Sequence, residues 1–168
     1  MSYQEKRTIV NILSGALLLA AYCIYAFGRY QAGAVEAGDL KFWAGTILIF
    51  IAIGIVATII IQIVFHILMS IGITVQKKIH NEQVSDREIE KSINFDMIED
   101  EMDKLIELKS MRIGYGFAGV GFIAGMVALV LDYSTAVMLN ILFLSFSCGS
   151  LLEGFTQLYF YRRGIANG

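Results

Sequence analysis

Proline is absent from this chain, so no residue in it breaks a helix by withholding an amide donor. There are only two cysteines and two histidines, and they do not fall at the spacing of a zinc site; no metal and no cofactor are expected. A phosphate-cradling glycine loop and a nucleophile paired with a base are missing too, so the sequence predicts a protein that is not an enzyme. Basic charge is scarce, with 13 Lys and Arg against 15 Asp and Glu for a net charge of −2. Nucleic-acid binding needs a positive surface to neutralise phosphates, and that class is excluded.

What the chain does have is apolar length. Of its 168 residues 57% are hydrophobic, and residues 8–28, 42–75, 113–131 and 136–160 are each long enough to cross a bilayer, the last with Glu153 inside it. The expected fold is an all-α membrane protein with four transmembrane helices in one domain, surrounded by the lipid bilayer of the cytoplasmic (inner) membrane. The first span has a signal-peptide outline, with Lys6 and Arg7 ahead of an apolar run, but the run is too long for one and predicts an uncleaved helix. With four spans, 11 of the 13 basic residues share one side and only Arg29 and Lys41 take the other, which predicts that both termini are cytoplasmic. Tyr30, Phe42, Trp43 and Tyr133 then form an outer aromatic belt, and Tyr159, Phe160 and Tyr161 an inner one.

The polar residues gather in a cytoplasmic linker, 77–112, with 7 basic and 10 acidic side chains. That mixture does not make a lipid-binding polybasic tract. Within it Ser85 with Glu88 and Asp96 with Glu99 read as capping boxes, and residues 96–112 as an amphipathic helix that runs into the third span. Asp96, Glu99, Asp100 and Asp103 share a face there, either as a solvated surface or as a cation or partner site. The second span, at 34 residues, is about 51 Å long as a helix. It overshoots the roughly 30 Å hydrocarbon layer, so its last turns, with Ile67, Leu68, Ile71 and Ile73, are expected to project inward and be covered by the linker or by a cytoplasmic partner protein.

Two patterns within the spans invite a role. Gly114, Ala118, Gly121, Gly125 and Ala128 recur at alternating four- and three-residue steps, a small-residue seam that lets helices approach closely either within one subunit or across a homodimer. On the second span Gly54, Thr58, Gln62, His66, Ser70 and Thr74 form a polar stripe that must face protein. By helix rise, Gln62, His66, Glu153, Asn11 and Tyr115 come to a common level near the cytoplasmic leaflet, forming a candidate intramembrane polar cluster in which Glu153 is the costliest member. Cys23 and Cys148 differ in depth by about 10 Å, too far for a disulfide. The outer halves of the spans read as nearly all apolar. No internal repeat of the inverted-transporter kind is evident.

The stretch Asp100, Glu101, Asp103, Ile106, Glu107, Leu108 and Lys109, with the closing QLYFYRRG, resembles a group of small prokaryotic four-helix integral membrane proteins. In that group an Asp-Glu-x-Asp…Ile-Glu-Leu-Lys segment leads into the third span, with Arg frequent where Met102 stands here. The resemblance implies the four-span topology and brings no activity or site residue with it. The expected function is that of a non-enzymatic accessory, scaffold or sensing subunit, the expected partners being a second copy and a cytoplasmic protein; the alternative is a small ion- or proton-coupled transporter or channel using the Glu/His/Gln cluster.

Overall fold

The computed structural model describes residues 2–80 and 100–164, which form four helices long and apolar enough to cross a membrane. They are α1 (Tyr3–Gln31), α2 (Leu40–His80), α3 (Glu101–Val130) and α4 (Thr135–Arg163). The Ser85, Glu88, Asp96 and Glu99 caps expected from the sequence lie outside the described residues. In the described part, the helix leading into the third span starts at Glu101, one residue after an extended N-cap at Asp100.

Local chemistry explains each start. Ser2 and Glu5 make a reciprocal capping box on α1, and Asp100 and Asp103 make one on α3; each satisfies amides that the first turn would otherwise leave unpaired. The Asp39 carboxylate accepts from the Phe42 amide at 3.0 Å to open α2. Between α3 and α4 the chain reverses at Asp132, whose φ of 61° is a left-handed value that Asp tolerates better than most residues. This turn and the α1–α2 loop meet at one end of the bundle, where the Ser134 hydroxyl donates to the Ala37 carbonyl at 3.3 Å. That end is the turn end; the starts of α1 and α3 and the end of α4 mark the terminal end.

Helix α4 packs on all three others, most extensively on α3, while α1 also packs on α2. The α3–α4 contact uses the small-residue seam: Gly114, Ala118, Gly121, Gly125 and Ala128 are all buried, with Ser110 extending the line toward the terminal end. A side-chain carbon at Gly149 would lie 2.6 Å from the Gly114 carbonyl oxygen, and one at Gly114 would lie 2.9 Å from that of Gly149. Two backbones meet there with no room for a methyl group. At Gly121 the same carbon would run into the Ser145 side chain, and at Gly125 it would touch Met138 and Leu142. The seam is therefore occupied by the chain's own fourth helix.

A second buried cluster sits near the turn end. Tyr22, Ala26, Trp43, Ile47 and Ala136 form its centre, with Phe27, Phe50 and Phe143 packed around it. The Tyr22 ring lies 4.4 Å from Phe143 and 5.3 Å from Phe50, centroid to centroid, distances at which aromatic pairs attract. Among the described residues little packs on helix α2, with 6% of its spanning window buried, as suits a helix whose apolar surface faces lipid.

Gly121→Leu forces a branched side chain into Ser145 of α4. The expected result is a loss of about 1–3 kcal/mol in unfolding stability with membrane insertion intact, measured by thermal or denaturant unfolding in mild detergent; an unchanged stability would show that α4 does not cover the seam.

Candidate functional site

At the terminal end the four helices leave a polar cavity of about 230 Å³. Helix α1 contributes Gln4, Arg7, Thr8 and Asn11, α2 contributes Gln62, α3 contributes Asp103 and Glu107, and α4 contributes Glu153, Gln157 and Tyr161. Three of the five residues expected in the inner polar cluster, Asn11, Gln62 and Glu153, thus line one space. His66 lines an adjoining cavity with Gln62, Arg7 and Tyr3, and the Tyr3 hydroxyl lies 3.3 Å from its Nδ1. Tyr115 does not join them. It is 63% exposed, because Gly114 faces α4 and the next residue is turned about 100° away.

Glu153 is half-buried, and its closest polar partner is on its own helix. The Gln157 amide donates to its carboxylate at 3.4 Å, and the Gln157 carbonyl oxygen accepts from the Thr8 hydroxyl of α1 at 3.1 Å. Thr8 also faces the Gln4 carbonyl at 2.9 Å. No hydrogen bond joins Glu153 directly to Asn11, Gln62, His66 or Tyr115 among the described residues; Gln157 relays the link between helices instead. Its place, four residues after Glu153 and hence on the same face, was the available signal. On the seam side, a side-chain carbon at Gly114 would come within 3.3 Å of the Glu153 carboxylate, so the missing side chain gives the carboxylate its room. Asp103 both closes the capping box with Asp100 and lines the cavity.

Toward the middle of the bundle a second cavity of about 310 Å³ shares Asn11 as a wall and adds Ser14, Thr58, Ser147 and Ser150. Beyond it a groove of about 750 Å³ between α2 and α4 shares Thr58, Ser147 and Ser150 and is otherwise lined by Ile47, Ile51, Ile55, Leu142 and similar residues. Above the middle cavity the Tyr22 hydroxyl donates to Asn140 Oδ1 at 2.6 Å in a fully enclosed site, and the Asn140 amide donates to the Ala136 carbonyl at 2.8 Å. This pair corrects the expectation of an apolar outer half. An asparagine within a span has to find such a partner.

Among the described residues no group of three or more His, Cys, Asp or Glu side chains is arranged to hold a metal ion. Cys23 and Cys148 are free thiols. The chain matches no protein-family model, no curated protein and no solved structure.

Tyr22→Phe deletes the donor to Asn140 Oδ1 and leaves a buried acceptor unpaired. It should lower unfolding stability by about 1–2 kcal/mol, read by the same unfolding assay, while Tyr25→Phe on the exposed side of α1 should change nothing measurable; equal effects would remove the Tyr22–Asn140 pair from the account.

Proposed function

We propose that the protein is a non-enzymatic multi-pass membrane protein that binds a ligand in the inner polar cavity and acts as a sensing or accessory subunit. The observation that carries this reading is the cavity's construction, in which every helix supplies polar side chains around Glu153. A carboxylate inside a span is costly unless it has work to do or partners to meet, and one amide at 3.4 Å is a thin complement. Helix α3 supports a signalling role, since Glu107 and Asp103 line the cavity on a helix that runs unbroken from Glu101 to Val130. A ligand drawn to those carboxylates would bear on the whole rod. The partition of basic residues supports cytoplasmic termini, with the cavity opening inward. Exposed Ile67, Leu68 and Ile71 in the second half of α2 offer an apolar face to a second copy or an accessory partner, away from the occupied seam.

A transport reading draws on the Tyr22–Asn140 pair, because it extends polar groups past the middle of the bundle. The aromatic cluster around it, with Tyr22 on Phe143 and Phe50, weighs the other way by packing rings against that pair. Flux of protons, sodium and potassium into proteoliposomes separates the two. The sensing role predicts leakage no greater than in empty liposomes for both wild type and Glu153→Gln; a flux that disappears in Glu153→Gln would replace it with transport.

A further inference from the structure

A separate cavity of about 330 Å³ lies between α1 and α2 at the terminal end. Its polar lining is Tyr3 and Arg7 from α1 with Gln62 and His66 from α2, and among the described residues no carboxylate lines it. All four side chains can donate hydrogen bonds, and the guanidinium carries a fixed positive charge. Arg7 and Gln62 also line the inner cavity, so the acidic space and this donor-rich one adjoin there.

The Tyr3 hydroxyl lies 3.3 Å from His66 Nδ1, and its ring sits 5.4 Å from that of Phe65, which ties the first turn of α1 to α2. With the hydroxyl donating to Nδ1, the proton of the neutral imidazole is on Nε2 and remains for another acceptor. Among the described residues the Gln62 amide makes no hydrogen bond, a costly state for such a group in a span unless something else meets it. By helix rise Gln62 and His66 stand about 33 and 39 Å from Leu40 at the start of α2, and Arg7 about 36 Å from Gln31 at the end of α1. A bilayer has a hydrocarbon layer of about 30 Å and reaches about 40–45 Å with its headgroups. The donors therefore lie at headgroup depth. Beside them Ile63 is 55% exposed, and Ile59 and Ile60, one turn nearer the bilayer centre, are 54% exposed each.

The geometry points to a phospholipid site: a membrane lipid seats its phosphodiester among Arg7, Gln62 and His66, and its chains lie outside the cavity along Ile63, Ile60 and Ile59. A guanidinium matches phosphate oxygens with two parallel donors, and the amide and imidazole supply further ones. The neighbouring carboxylates set the charge of the head. Asp103, Glu107 and Glu153 line the adjoining cavity and oppose a phosphate monoester, which carries close to two negative charges at neutral pH, more than a diester, whose single charge Arg7 offsets. Inorganic phosphate would meet the same donors without the contact that acyl chains make on the isoleucine stripe, so the membrane is the source that fits. This site does not rest on the reading of the inner cavity as a ligand site.

The test is native mass spectrometry of the full chain, delipidated in mild detergent and titrated with phosphatidylglycerol, whose head has no amine and so reports on the phosphodiester alone. Tight retention of one phosphatidylglycerol is expected, with diacylglycerol of the same chains bound about ten-fold more weakly and excess inorganic phosphate unable to displace the lipid. Arg7→Gln should weaken retention about ten-fold and His66→Leu about three-fold. His66 is exposed on α2, so its variant decides alone if Arg7→Gln fails to fold. Arg163→Gln removes an exposed cation at the same end and should leave retention unchanged, which separates the site from general attraction to a positive surface. Equal binding of diacylglycerol, displacement by inorganic phosphate, tighter binding of phosphatidic acid, wild-type retention in His66→Leu, or as large a loss in Arg163→Gln as in the site variants would overturn the proposal.

Discussion

The backbones of α3 and α4 touch at Gly114 and Gly149, and the rest of the bundle is set out from that contact. In lipid, apolar surface gains nothing by leaving the hydrocarbon, so helices associate where their backbones can come close enough for many weak contacts. Six small residues along α3, from Ser110 to Ala128, provide that approach. Because α4 is held so tightly on one side, its other faces are free to receive α1 and α2. Glu153, one turn from Gly149, is carried to the edge of the seam, where the absent side chain of Gly114 leaves room for a carboxylate.

Around this interlock the polar groups are disposed in two ways. Near the turn end they are few and paired: Tyr22 and Asn140 are bonded to each other at 2.6 Å and shut in by aromatic rings. Near the terminal end they are many and loosely joined, with Gln157 reaching Glu153 at 3.4 Å and Thr8 at 3.1 Å around a cavity of about 230 Å³. A buried polar network that is fully paired stiffens a structure, whereas one with spare capacity leaves room for a guest. The same chain thus has one end where a polar pair is buried among rings and another where polar side chains surround a cavity.

Hydropathy and spacing made the helices legible, because span length and the positions of glycines are one-dimensional properties. Glu153, Asn11 and Gln62 could be placed at one depth by helix rise alone, and they do share a cavity. Tyr115 has a comparable depth and points elsewhere, since depth says nothing of direction around the axis; direction was readable from the seam, which turns Gly114 toward α4. Which helix covers the seam was not legible, because packing inside a subunit and pairing between subunits ask for the same small residues. Gln157 and the Tyr22–Asn140 pair were missed for a different reason: amides and phenols are ordinary in apolar runs until a partner on another helix is known, and only the fold brings the partners together.

On this account water reaches the polar cavities from the terminal end, where polar side chains line the inner one, and the aromatic cluster packs the turn end. It is tested most directly by thiol accessibility in oriented membrane vesicles, after Cys23 and Cys148 have been replaced by alanine. A cysteine at Ser14, on the wall of the middle cavity, is predicted to react with a small membrane-impermeant thiosulfonate from the side that also labels Ala166→Cys, and to be protected from the side that labels Ala37→Cys in the α1–α2 loop. Reaction of Ser14→Cys from the Ala37 side, or from neither, would contradict the account.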